Sequence, residues 1–129
     1  MSRIEHFENI EAWKKARALT RQIYAVTANG AFAQDFGLRN QICRASVSIM
    51  SNIAEGFERG GDKEFLQLVS TAKGSSGEVR SHLYVALDAG YIDRQTFTCL
   101  SDMAMQINRM LAGLMKYLKD SELTGSKYK

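Results

Sequence analysis

The sequence predicts an all-α protein, an antiparallel up-down-up-down four-helix bundle, on three observations. The 129 residues include no proline, and nowhere do β-branched residues alternate with polar ones over the length of a strand. Residues that favour helix are abundant. Apolar positions recur at helical spacing in four segments joined by short connections, so we expect one domain over residues 1–129.

The first predicted helix covers residues 9–29, with Asn9 as its N-cap and Gly30 in a left-handed C-terminal cap. Its predicted inner face comprises Trp13, Ala16, Leu19, Thr20, Ile23, Tyr24 and Thr27. Lys14, Arg17 and Arg21 form a row at three- and four-residue spacing beside the two aromatic residues. Such a row is typical of a contact to a phosphate backbone, although a solvated helix face has the same composition.

The second predicted helix covers residues 36–58, after a loop at 30–35, and Asp35 is its predicted N-cap. Its apolar residues are Leu38, Ile42, Ala45, Ile49 and Ile53 on one line, with Cys43, Val47, Met50, Ala54 and Phe57 beside it. They cover an arc of about 200°, so the helix must be covered on two sides. The remaining polar strip, either solvent-facing or a contact between subunits, comprises Gln41, Arg44, Ser48, Ser51, Asn52, Glu55 and Arg59.

The third predicted helix covers residues 62–89, with Asp62 as its N-cap. Its back carries a line of small residues, which are Ser70, Gly74, Gly77 and Ser81. Each interior glycine costs a helix roughly 1 kcal/mol relative to alanine, so we expect another backbone to approach closely there. Packing by a neighbouring helix, packing by another subunit and a kink in the helix are all open interpretations.

The fourth predicted helix covers residues 93–120, with Asp93 as its N-cap and a staple formed by Ile92 and Phe97. The tail, residues 121–129, has no periodicity and is expected to fray. The candidate nucleic-acid-binding residues are Lys14, Arg17, Arg21, Lys116 and Lys119. The candidate oligomer-interface residues are Arg44, Ser48, Asn52, Glu55, Ser70, Gly74, Gly77 and Ser81.

Charge and cysteine content restrict the function only loosely. The formal net charge is +3, with the basic excess near the two ends, which permits contact with an acidic polymer without requiring it. Cys43 and Cys99 fall in apolar helical patterns, so we favour core packing in a reducing compartment over a disulfide. With no signal-like N-terminus and no long apolar run, we expect a cytoplasmic protein without a membrane partner.

The residues that metal or acid–base chemistry requires are not found at suitable spacings. A dinuclear metal bundle needs Glu-x-x-His on two helices, and neither copy is present. His82 follows Glu78 by one turn, which predicts a surface ion pair. The Gly74-Ser-Ser-Gly77 segment matches neither a nucleophile elbow nor a phosphate-binding loop. We therefore predict no catalytic residue, no metal and no cofactor.

The segment Ser48-Ile-Met-Ser-Asn-Ile-Ala-Glu-Gly56 resembles the signature of the 23S ribosomal RNA intervening-sequence protein family, also called four helix bundle proteins. Other landmarks follow in the order that the family shows, from Trp13 through Gly37-Leu38 to Gly90-Tyr91-Ile92. The resemblance covers residues 5–118. It implies a four-helix up-down bundle that assembles into a ring, a homopentamer in relatives.

The same resemblance bears on partners. The family includes proteins encoded within insertions of large-subunit ribosomal RNA genes, and it resembles the accessory protein of diversity-generating retroelements, which binds nucleic acid and a reverse transcriptase. It implies RNA, DNA or a reverse transcriptase as partner, no catalytic residue, and structural or interfacial roles for Arg44, Asn52 and Glu55. Met50 stands where many relatives have proline, which removes one cause of a kink in the second helix.

Two functional hypotheses follow. The first is a non-enzymatic homo-oligomeric protein that binds the phosphate backbone of RNA or DNA through basic helix faces. The alternative is an oligomeric protein–protein scaffold or adaptor that does not bind nucleic acid. An enzyme or a metal-binding bundle is the third and least supported hypothesis.

Overall fold

The computed structural model describes residues 4–127, and describes side chains as far as residue 121. Five α-helices are present, and there is no strand in this part of the chain. They are α1 (Glu11–Val26), α2 (Gly30–Gln34), α3 (Phe36–Arg59), α4 (Asp62–Asp88) and α5 (Arg94–Lys127), and a 3-10 turn, Phe7–Asn9, precedes them. Four of the helices are long, as the sequence predicted.

The core lies among the four long helices. α3 packs against α1 and α4, and α5 packs against α4 and α1. The largest fully buried side chains on these helices are Leu19, Ile23, Ile42, Ile49, Ile53, Val69, Val79, Leu83, Leu100, Ile107 and Leu111. The predicted apolar line of the second helix, from Leu38 to Ile53, is buried at every position. These contacts make a single core of interlocking aliphatic side chains.

Helix α1 is shorter than predicted at both ends. Asn9 lies in the 3-10 turn instead of capping the helix, and Ile10 precedes the first helical residue with no side-chain cap. Ile10 is buried, so its place in the core determines where the helix begins. At the other end, the buried Thr27 hydroxyl donates to the carbonyl oxygen of Ile23 at 2.8 Å, and the chain leaves the helix there.

The predicted loop at residues 30–35 is wrong, because residues Gly30–Gln34 form helix α2. This helix buries the Phe32 ring, which stacks on the Tyr91 ring at a centroid distance of 5.2 Å. The Tyr91 hydroxyl donates to Oδ2 of Asp35 at 2.9 Å, and this hydrogen bond raises the pKa of Tyr91. A single turn of helix is thus held by an aromatic contact with a distant residue.

The ends of α3 are as predicted. The backbone N–H of Leu38 donates to Oδ1 of Asp35 at 3.1 Å, which is the predicted N-cap. The helix continues through Met50 without interruption and ends at Arg59. Gly60 follows with φ of +83°, a left-handed conformation that glycine adopts without steric cost.

Helices α4 and α5 depart from prediction at one end each. Asp62 is the first residue of α4 and does not cap it; its Oδ2 instead accepts a hydrogen bond from the Ser121 hydroxyl at 2.8 Å. Asp93 caps α5 as predicted, accepting from the Thr96 N–H at 2.8 Å. The helix then continues to Lys127, so most of the predicted frayed tail is helical. Residues 128–129 lie outside the described residues.

Candidate nucleic-acid interface

The basic row on α1 is exposed, but its members differ in their partners. The Nζ atom of Lys14 lies 3.3 Å from Oε1 of Glu11, so its charge is already partly balanced. Arg17 and Arg21 are exposed and form no ion pair within the described part of the chain. Within the predicted row, Arg17 and Arg21 are therefore the residues whose positive charge is not balanced by an ion pair.

The prediction that Tyr24 lies on the inner face of α1 is wrong. Tyr24 lies on the surface of the helix, and 52% of the residue is exposed. The buried stripe of the helix is narrow and comprises Ala12, Ala16, Leu19 and Ile23. The Thr20 hydroxyl, on the side that meets α3, donates to the carbonyl oxygen of Ser46 at 3.2 Å. Since α3 covers only this side of the buried stripe, Tyr24 lies at the edge of the contact between α1 and α3 and not within it.

An open groove runs between α1 and α3 where Tyr24 is exposed. Its volume is about 790 Å³, and the residues that line it are Tyr24, Asn40, Cys43, Arg44, Val47, Ser48 and Ser51. Arg44 is the charged residue of the lining, and no carboxylate takes part. The groove thus combines one guanidinium, one aromatic ring and several hydrogen-bonding side chains. Asn40 had not been singled out in the sequence, because nothing about an exposed asparagine in a helix distinguishes it.

The two cysteines are free thiols and lie in different surroundings. Cys43 is half-buried and lines the groove, with its Sγ 3.5 Å from the Thr27 hydroxyl. Cys99 is exposed on α5, so its predicted place in the core is wrong. The apolar pattern of α5 is wide enough to include Cys99, but the face that it occupies has no neighbouring helix.

Lys116 and Lys119 are exposed on α5 and do not line the groove. None of the five predicted nucleic-acid-binding residues lines the groove itself. Arg17 and Arg21 share a helix with Tyr24 of the groove, whereas the two lysines lie on a separate helix.

The polar strip of α3 is used partly within the chain. The hydroxyls of Ser48 and Ser75 lie 2.9 Å apart, joining α3 to α4, and Nδ2 of Asn52 donates to the Ser48 carbonyl oxygen at 2.8 Å. Ser75 was not predicted to take part. Glu55 pairs with Arg59 one turn later, and both are exposed. Of the predicted interface residues on this helix, Arg44 is the one whose side chain has no hydrogen bond or ion pair to another described residue.

The small-residue line of α4 faces away from the other helices. Ser70, Gly74 and Ser81 are exposed, and a Cβ added at Gly74 or Gly77 would meet no atom within 4 Å. Packing by a neighbouring helix of the same chain, one of the three interpretations, is therefore wrong. The helix is continuous over Asp62–Asp88. The line is free to meet another subunit.

The described residues include neither a cluster suited to a metal ion nor a helix suited to span a membrane. Within the side chains that the structure describes, no three His, Cys, Asp or Glu residues are grouped as a metal ion would require. The predicted ion pair between His82 and Glu78 is not formed; the buried Nδ1 of His82 has no hydrogen-bond partner. None of the described helices has the length and apolar character needed to cross a membrane.

The fold and this surface define an all-α protein with four long helices, the first of which carries an exposed row of basic residues. The chain belongs to the 23S rRNA-intervening sequence protein family, whose model matches residues 8–113. It is similar in structure to a protein of unknown function from the S23 ribosomal protein family of Bacteroides thetaiotaomicron. The TM-score is 0.75 at 22% identity, covering 81% of this chain and 98% of that one. No curated protein matches the chain.

Proposed function

We propose that this protein is a non-enzymatic, homo-oligomeric four-helix bundle that binds the phosphate backbone of RNA or DNA in the cytoplasm. The observation that carries the proposal is the uncompensated charge of Arg17 and Arg21 on the exposed face of α1. A phosphate backbone supplies the anions that these guanidinium groups lack within the chain. The family is named for intervening sequences of 23S rRNA, which is consistent with an RNA partner.

The proposed architecture is an up-down-up-down bundle. Antiparallel packing of α4 and α5 is supported by two contacts. The Ser76 hydroxyl accepts a hydrogen bond from Asn108, while Tyr84, further along α4, makes an edge-to-face contact with Phe97, earlier on α5. For α3 and α4, the hydrogen bond between Asp35 and Tyr91 joins the residue before α3 to a residue shortly after the end of α4, as antiparallel packing requires. Antiparallel neighbours with short connections are the usual arrangement of such bundles.

The proposed assembly is a ring, with five subunits as the resemblance implies. The uncovered line of Ser70, Gly74, Gly77 and Ser81 supports this, because two interior glycines destabilise an isolated helix without benefit to the monomer. Close approach of another subunit's backbone would account for them.

Light scattering on the purified protein, with and without a generic structured RNA, tests binding and assembly together. At low salt we expect a particle of several subunits that takes up RNA, and at moderate salt the same particle without RNA, because phosphate contacts release counterions. A monomer at both salts would overturn the ring. A particle that ignores RNA at low salt would overturn nucleic-acid binding.

The second candidate function is a scaffold or adaptor for another protein, such as a reverse transcriptase, without nucleic-acid binding. The exposed apolar residues favour it, since Val85 on α4 and Tyr117 on α5 are each at least half exposed. This function predicts assembly that does not respond to salt and no RNA retained during purification.

A further inference from the structure

We infer that the groove between α1 and α3 holds a single strand of nucleic acid, with one base stacked on Tyr24 and a phosphate held by Arg44. This inference rests on the proposed function, and it specifies which form of nucleic acid binds and where. The occupant follows from the charge, the aromatic surface and the hydrogen-bonding groups of the groove, taken in turn.

The charge of the groove suits a polyanion. Arg44 makes no ion pair or hydrogen bond to any other described residue, and the lining includes no carboxylate to compete with a phosphate. Arg21 lies three residues before Tyr24 on the exposed side of α1, and Arg17 lies one turn earlier. A strand leaving the groove along α1 would therefore meet two further guanidinium groups.

The aromatic surface suits an unpaired base. Tyr24 is 52% exposed and forms no aromatic pair with a described side chain, whereas the comparably exposed Tyr84 makes an edge-to-face contact with Phe97. Single-strand binding proteins place aromatic rings beside basic residues in this way, because every base has a face that can stack. In a duplex the faces of the bases are already stacked on one another, so Tyr24 would have nothing to contact.

The remaining lining residues supply hydrogen bonds and room. The side chains of Asn40 and Ser51 make no hydrogen bond to another described residue, so their donors and acceptors are available to a base edge or a sugar. The volume of about 790 Å³ lies within the range of roughly 300–1,000 Å³ found for ligand sites. Val47, 37% exposed, adds an apolar surface to the lining.

The test is fluorescence anisotropy at low salt with two labelled probes, an oligouridylate of about 15 nucleotides and a fully paired RNA hairpin. We expect the oligouridylate to bind more tightly than the hairpin. Tyr24→Leu should weaken its binding about fivefold or more, while Tyr24→Phe keeps the wild-type affinity because the ring remains. Tyr117→Leu, a change at a tyrosine that is 54% exposed on α5, is the matched control and should have no effect.

A second measurement needs no variant. Bound oligouridylate should slow the alkylation of Cys43, which lines the groove, and leave that of the exposed Cys99 unchanged, as read by peptide mass spectrometry. Equal rates with and without the strand would overturn the inference. An unchanged affinity of Tyr24→Leu for the oligouridylate would also overturn the inference. If, in that case, Arg17→Glu combined with Arg21→Glu weakened binding of both probes, the proposed function would stand while the groove assignment failed. If wild-type protein bound neither probe, both would fail.

Discussion

Gly56 of α3 lies so close to Phe65 of α4 that a Cβ at position 56 would come within 2.9 Å of Cδ1 of the ring. Such a Cβ would also lie 3.2 Å from Cβ of Leu68. The glycine that closes the family-like motif is therefore required for the close approach of these two helices. Its position within a predicted helix is the sequence signal for this contact.

Gly56→Ala should lower the free energy of unfolding by about 1 kcal/mol. Overpacking at such a contact costs roughly 1–3 kcal/mol, which exceeds the gain in helix propensity of about 1 kcal/mol. Thermal unfolding measures the change. Gly113→Ala on α5 is the matched control, since nothing lies within 4 Å of its added Cβ and this variant should be no less stable than wild type. Equal melting of Gly56→Ala and wild type would contradict the contact.

Ile49→Asp should unfold the protein or lower its stability by several kcal/mol. Ile49 is fully buried in the core, and a carboxylate there has no partner to offset the loss of its hydration. Gln41→Asp places the same side chain at an exposed position of the same helix and should be tolerated. Circular dichroism during heating distinguishes the two, and a normal melting curve for Ile49→Asp would disprove this core assignment.

Gly74→Leu should leave the helical content intact and reduce the mass of the particle. The position is open in the single chain, so a leucine there is harmless to the monomer but blocks the close approach of another subunit. Gly113→Leu makes the same change at an equally open glycine of α5 and is the control. If light scattering gave both variants the wild-type mass, the interface would have to lie elsewhere.

Arg17→Glu combined with Arg21→Glu should weaken nucleic-acid binding and make it depend less on salt, with folding unchanged. Both residues are exposed, and removing phosphate contacts reduces the number of counterions released. The control is Arg94→Glu combined with Arg109→Glu, which makes the same change in net charge on α5. It separates a local contact at α1 from the overall attraction between the protein and the nucleic acid. Affinities measured over a series of salt concentrations decide between them; equal losses in the two double variants would exclude a specific role for α1.

The acid stability of the protein should depend on Asp93. Hydrogen bonds from Thr96, first from its backbone N–H, lower the pKa of the Asp93 carboxyl. The contribution to stability is thus present above the unfolded pKa of about 3.9 and is lost as pH falls through the lower folded value. Asp93→Asn keeps a good N-cap but cannot titrate, so its stability should fall less than that of wild type below about pH 4. An equal loss of stability in the two proteins as the pH is lowered would refute this.

The four long helices could be predicted because their signals are local. Helical spacing of apolar residues, the absence of proline, and the Asp35 and Asp93 caps all act within one or two turns. The same patterns left other features undetermined. Helix α2 forms because Phe32 is held by Tyr91, about sixty residues away in the sequence, and no pattern within residues 30–35 signals that contact.

What the sequence by itself determined is therefore the helical class, the core line of α3 and the row of basic residues on α1. Only the tertiary structure decided that Tyr24 is exposed, that Arg44 lines a groove with it, that Lys14 is paired with Glu11, and that Gly74 is uncovered. The physical reason is that periodicity identifies the apolar face of a helix but not how much of that face a neighbouring helix covers. Residues at the edge of that face, such as Tyr24, are placed by helix packing.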